Sequence, residues 1–135
     1  MKSFVYPFRV YIEDTDCYQV VYHANYLNFY ERARSEWLEQ AGFGMQWQKK
    51  QNVLFAIRSF DIEYIVPAKT PDLLEVVIDG VNVGRASITI SHYIRYQEKP
   101  DIMLNKGLVK ICCINSDFNV SAVPKELKEE LLSDS

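Results

Sequence analysis

The sequence predicts an α+β domain in which one long helix packs on a five-stranded antiparallel sheet. Three observations predict it. Apolar residues alternate up to Ile12, then switch to spacings of three and four from Tyr26 onward. Past Val53 the alternation returns in four long runs. The turns between those runs are short, which forces antiparallel neighbours.

The first strand runs from Phe4 to Ile12, with Phe8, Val10 and Ile12 alternating against Arg9 and Tyr11. Glu13 to Gln19 is polar and breaks the pattern. Tyr26, Tyr30, Ala33, Trp37 and Ala41 then share one helical face, widened by Leu27, Phe29 and Leu38. Glu31, Arg32, Arg34, Ser35, Glu39 and Gln40 fall on the wetter side. Gly42 suits the left-handed position past the helix end, with Phe43 supplying the hydrophobic contact that accompanies it. Met45 to Gln51 reads as a short helical connection. The second strand spans Val53 to Val66 and stops at Pro67. A turn around Pro71 leads to Leu74, Val76 and Ile78, and Gly80 marks a bulge. Gly84-Arg85 closes a hairpin onto the strand of Ile88, Ile90, Ile94 and Tyr96. Glu98 to Asp101 turns the chain into a last strand, Ile102 to Asn115, with Gly107 as a further bulge site. Pro124 to Leu132 forms a terminal helix.

The chain has 135 residues, 48% hydrophobic and 24% charged, enough for one independently folded domain over 1–135. A net charge of −3 with no basic run leaves no footprint for nucleic acid. No apolar run approaches the roughly 20 residues needed to span a bilayer, and the first residues lack a signal peptide's apolar segment. A cytoplasmic protein is expected. The three cysteines, Cys17, Cys112 and Cys113, are odd in number and two are adjacent, so reduced thiols are expected, with Cys17 a small apolar residue. No Cys/His spacing suggests zinc, and no metal is expected: a magnesium site on Asp14 and Asp16 would lack a phosphate-cradling glycine loop beside it. One helix cannot cover both faces of such a sheet, so a homodimer or homotetramer is expected to bury the remainder.

The residues that could carry chemistry cluster between the first strand and the helix. Asp14-Thr15-Asp16 is a carboxylate pair that also reads as a solvated turn. Its downstream neighbours give it weight. His23-Ala24-Asn25-Tyr26 leads into the helix, whose first N–H groups lack intrahelical acceptors and carry partial positive charge. Asn25 is a candidate cap for them. An acid beside such donors can attack, or direct water at, an electrophilic carbonyl. His23 reads either as a half-buried imidazole satisfied by backbone or as a donor to that carbonyl. His92, among Ile88, Ile90 and Ile94, reads as a core or interface histidine.

EDTD followed by VVYHANYLNFYERAR resembles the hotdog-fold acyl-CoA thioesterases of the 4-hydroxybenzoyl-CoA thioesterase family, closest to the Tol–Pal-associated, YbgC-type subfamily. FAIRSFDIEYIVPAKTPDLLEV and the terminal PKEL carry the likeness over nearly the whole chain. The resemblance implies a helix wrapped by a curved five-stranded sheet, with active sites at a dimer interface. It implies Asp16 as nucleophile or general base and the His23 backbone N–H as oxyanion donor. Tyr22 and Tyr26 would line the acyl channel, while Arg85 and Lys69 would meet the phosphates of coenzyme A. It implies no cofactor, coenzyme A being part of the substrate. Where the family has Gly three residues after the catalytic Asp, this chain has Gln19. The loop then takes another route, or Gln19 adds its side-chain amide to the site. Beside hydrolysis stands a second reading, a non-catalytic hotdog protein that binds acyl carrier protein or phospholipid-synthesis enzymes. A dehydratase ranks last, because the nearest helical acids, Glu31 and Glu36, lie about two turns or more from His23.

Overall fold

The computed structural model describes residues 1–133. The strands are β1 (Phe4–Arg9), β2 (Leu54–Tyr64), β3 (Leu73–Val83), β4 (Ser87–Tyr96) and β5 (Met103–Ile114). The helices are α1 (Tyr26–Gln40), α2 (Met45–Gln51) and α3 (Lys125–Leu132). The five strands form one antiparallel sheet in the order β1-β3-β4-β5-β2. Hairpins join β3 to β4 and β4 to β5, whereas β1 and β2 lie at opposite edges and are linked through α1 and α2. The register breaks at Ile57/Ser59, at Ile78/Gly80 and at Ile94/Arg95. Each irregularity bends its strand, so the sheet can curl around α1.

α1 is 15 residues long, about 22 Å. Tyr26, Phe29, Tyr30, Ala33 and Trp37 bury against the sheet, as their spacing requires. Its end is a Schellman turn. Phe43 N–H donates to the Leu38 carbonyl at 2.8 Å and Gly42 N–H to that of Glu39 at 3.1 Å, with Gly42 at φ 91°. Facing α1, Leu74, Val76, Ile78, Ile88, Ile90, Ile94, Val109 and Ile111 complete the core.

Five expectations need correction. Ile12 leaves the sheet: β1 ends at Arg9, residues Ile12–Asp14 form a 3₁₀ turn, and the Ile12 side chain is exposed. Leu27 lies outside the buried stripe. Cys17 is exposed rather than packed, whereas Cys113 is buried, and desolvation pushes its thiol up to about 11. Gly107 is no bulge; it pairs in regular register with Ile62 and His92. It answers a close approach instead, since a Cβ there would stand 2.8 Å from Phe60, 3.0 Å from Tyr30 and 3.1 Å from His92.

The fifth correction is Arg34, which is 6% exposed although its charge suggests a wet face. Its Nη1 lies 3.0 Å from His92 Nε2, and the guanidinium sits 5.7 Å from the Phe60 ring centre. His92 Nδ1 lies 2.6 Å from the Gly107 carbonyl. Arginine can only donate and a carbonyl can only accept, so His92 is neutral with its proton on Nδ1. Tyr30 stacks on the imidazole at 4.1 Å and donates to Asn105 Oδ1 at 2.7 Å. Burial first, then the Arg34 charge, pushes His92 down to about 3, and burial lowers Arg34 to about 10.

Candidate active site

The segment between β1 and α1 is a narrow loop with its arms tied together. Tyr22 N–H donates to the Asp14 carbonyl at 2.9 Å, Thr15 bridges Val21, and Asp16 N–H donates to the Val20 carbonyl at 2.9 Å. Asp16 and His23 therefore sit on opposite arms of one loop. At its tip Gln19 N–H reaches the Asp16 carbonyl at 3.0 Å, with Gln19 at φ 67°. The left-handed residue is thus kept in place with glutamine bearing the strain, rather than avoided by another chain route. The Gln19 side chain is exposed.

The two aspartates divide into different jobs, which spacing alone could not separate. Asp14 is 7% exposed and both its oxygens are used: Oδ2 accepts Tyr11 N–H at 2.9 Å and Oδ1 accepts Asn25 Nδ2 at 2.9 Å. It fastens the loop to the helix start. Asp16 is half-buried; its Oδ1 accepts Tyr18 N–H at 2.8 Å, and Oδ2 has no partner among the described residues. Of the two, Asp16 alone has an oxygen to spare for chemistry.

Asn25 does not cap the helix, because its amide is spent on Asp14 and on Asn28, whose Nδ2 donates to Asn25 Oδ1 at 2.6 Å. A 3₁₀ turn over His23–Asn25 precedes α1, with Asn25 N–H bonded to the Tyr22 carbonyl at 2.8 Å. The unsatisfied donors of the helix start are thereby displaced one turn upstream. Among the described residues neither His23 N–H nor Ala24 N–H has an acceptor. His23's ring is exposed and lies 4.5 Å from that of Tyr22.

A pocket of about 190 Å³ opens here, lined by Val21, His23, Tyr26, Tyr64, Ile65, Val66 and Pro67. Its walls are apolar apart from the histidine and two phenols. The Tyr26 hydroxyl is already occupied, accepting Ala68 N–H at 3.1 Å. The structure thus brings His23 and Tyr26 together in one pocket, while Asp16, Gln19 and Tyr22 lie on the adjoining loop outside its lining. Lys69 is close by in the chain, following Ala68, whose carbonyl accepts Val21 N–H at 2.8 Å. Arg85 is remote, past the far end of β3, about 35 Å of extended strand away from Lys69. The single chain does not bring these two cations together.

Tyr64 is the residue that sequence reasoning missed. It comes from the end of β2, its hydroxyl donates to the His23 carbonyl at 2.8 Å, and its ring meets Tyr26 edge-on at 5.5 Å. No local signal marks it, because the bond spans 41 residues. A larger hollow of about 610 Å³ lies on the sheet face away from α1, among Asp61, Glu63, Asp79, Ser91 and Lys106. It is bigger but lies on the far side of the sheet from the helix start and its unsatisfied N–H groups. Among the described residues no three His, Cys, Asp or Glu side chains converge as metal ligands would, and no helix is long and apolar enough to cross a membrane.

Comparison with known proteins bears on this geometry. The sequence profile of the thioesterase-like superfamily matches residues 10–131. The acyl-CoA thioesterase YbgC of Haemophilus influenzae is 39% identical, covering 94% of this chain and 93% of its own. The acyl-CoA thioesterase YbgC of Helicobacter pylori is 45% identical, covering 91% and 96%. In three dimensions a 1,4-dihydroxy-2-naphthoyl-CoA thioesterase from Synechocystis superposes with a TM-score of 0.88 over 98% of this chain and 97% of its own. At 20% identity that match speaks for the hotdog fold alone. Fold, profile and relatives agree, and the chain belongs to the thioesterase-like superfamily as an enzyme of its YbgC type.

Proposed function

We propose that the protein hydrolyses acyl-CoA thioesters, with Asp16 supplying the carboxylate and the His23 N–H the oxyanion donor. The observation that carries this reading is the pairing, on one tied loop, of a carboxylate oxygen without a partner and amide N–H groups without an acceptor. Asp16 Oδ2 attacks the thioester carbon, or takes a proton from a water that does. The carbonyl oxygen gains negative charge as the tetrahedral centre forms and is met by the His23 N–H. The C–S bond then breaks, and the thiolate leaves with little need of protonation, its ordinary pKa being about 8.5. If Asp16 is the nucleophile, water cleaves the resulting mixed anhydride and returns the carboxylate.

The acyl group runs into the pocket beside Tyr26 and Tyr64, with Tyr22 at its mouth. A second copy completes the channel along β2, an edge strand whose end leaves Tyr64 and Ile65 half exposed. Lys69 meets a coenzyme A phosphate at the surface, and Arg85 reaches one only from another subunit. A cytoplasmic location, where acyl-CoA is available, goes with this activity. An acyl group on acyl carrier protein presents the same thioester and is a second substrate to try.

The test is thiol release from short, long and aromatic acyl-CoAs and from an acyl carrier protein thioester, with wild type beside Asp16→Asn. Wild type is expected to turn over at least one of them and the variant to lose at least a hundredfold in kcat, on the order expected for removal of a nucleophile or base. Release by neither protein would favour a binding protein, and full turnover by the variant would move the chemistry to another residue.

A further inference from the structure

We propose that Tyr64 is a positioning residue for this reaction, acting through the His23 carbonyl to hold the oxyanion donors in line. The inference rests on the proposed role of the His23 N–H. His23 Cα stands between two peptide planes, and each plane is rigid. The plane before it contains the His23 N–H and the Tyr22 carbonyl, and that carbonyl is held within the turn by Asn25 N–H at 2.8 Å. The plane after it contains the His23 carbonyl and the Ala24 N–H. That second carbonyl also accepts, from outside the turn, the Tyr64 hydroxyl at 2.8 Å. The Tyr64 bond sets the tilt of the His23–Ala24 plane from outside the turn, and with it the direction of the Ala24 N–H relative to the His23 N–H.

Tyr64 is well placed for such a task. It ends the sheet's edge strand, so its backbone is fixed by pairing with Asn105. Its ring is steadied edge-on by Tyr26, and Tyr26 is itself anchored by Ala68 N–H at 3.1 Å. Partial burial raises the phenol's pKa above its ordinary value, which keeps it a donor across the working pH range. A hydrogen bond donated to the His23 carbonyl also draws electron density from the same peptide and makes the Ala24 N–H a stronger donor. Only the ring borders the acyl group; the phenol hydroxyl is spent on the His23 carbonyl and touches neither the reacting thioester nor the leaving group. Its effect appears only where the oxyanion develops, and so in kcat rather than in binding.

The experiment compares wild type, Tyr64→Phe and Asp16→Asn on the acyl-CoA that wild type cleaves fastest, with melting temperature measured in parallel. Phenylalanine keeps the ring and its contact with Tyr26 and removes only the hydroxyl. The expected result is a fall of about tenfold in kcat, the worth of one hydrogen bond, with KM within about twofold and little change in melting temperature. 4-Aminophenylalanine at position 64 restores a donor at the same place and is expected to recover most of the rate. An unchanged kcat in Tyr64→Phe, with Asp16→Asn inactive, overturns the Tyr64 role alone. So does a loss that tracks lower stability or is not rescued by the amino analogue. Full turnover by Asp16→Asn overturns the underlying mechanism, and the Tyr64 role with it.

Discussion

The neutral imidazole of His92 makes a prediction that can be worked through quantitatively. The ring is 3% exposed, stacked on Tyr30, with the Gly107 carbonyl at Nδ1 and the Arg34 guanidinium at Nε2. Protonating Nε2 would place a second positive charge against Arg34, with no carboxylate hydrogen-bonded to either group among the described residues, so the folded ring resists protonation down to about pH 3. The unfolded chain takes up that proton near pH 6.5. Between those limits the unfolded state binds more protons than the folded one, and stability falls as pH falls. Its contribution is intact above about pH 6.5 and erodes by about 1.4 kcal/mol per unit below it. From about pH 7.5 to about pH 5 the loss is about 2 kcal/mol, a figure that requires only that the folded ring stay neutral at the lower pH. His92→Gln removes the titration while keeping a donor and an acceptor. Urea unfolding of both proteins at the two pH values, at one fixed protein concentration, yields a double difference in which the other titrating groups cancel. Wild type should lose about 2 kcal/mol more than the variant on acidification. Equal losses would refute the reasoning, because they would mean that the ring takes its proton without unfolding.

Two further predictions concern packing and backbone strain. Gly107→Ala sets a methyl group 2.8–3.1 Å from Phe60, Tyr30 and His92, and should cost about 1–3 kcal/mol in urea unfolding; a neutral result would mean that these rings yield readily. Gln19→Gly relieves the left-handed angle of φ 67° and should raise stability by about 0.5–1 kcal/mol. If the Gln19 amide serves the site, the same variant loses turnover; if the side chain is a bystander, kcat is unchanged.

The elements were legible because their patterns are local. The three-and-four spacing from Tyr26 to Trp37 foretold the buried face of α1, and Gly42 with Phe43 foretold its end. The strands after Val53 announced themselves by alternation, to within a residue or two. What stayed hidden depends on partners far along the chain. Arg34 reads as a solvated charge until His92, 58 residues away, is set against it. Tyr64 reads as one more alternating aromatic until the fold lays its hydroxyl on His23. Asp14 and Asp16 are chemically the same residue in the same turn, and only the amides of Tyr11 and Asn25 show which one is already engaged. Ile12 continued a period-two pattern that the chain abandons two residues earlier, because the run of acids after it favours a turn. Gly107 suggested a bulge where the reason was crowding.

That crowding bears on how such a protein could tell long acyl tails from short ones. Tyr30, Phe60 and His92 press on residue 107 so closely that the space under the helix is filled. On the proposed reaction, a hydrocarbon tail entering beside Tyr26 would meet these rings and would be measured along the outer rim of the edge strand. The ruler for chain length would then be made of surface residues, open to change without disturbing the interior that keeps the protein folded.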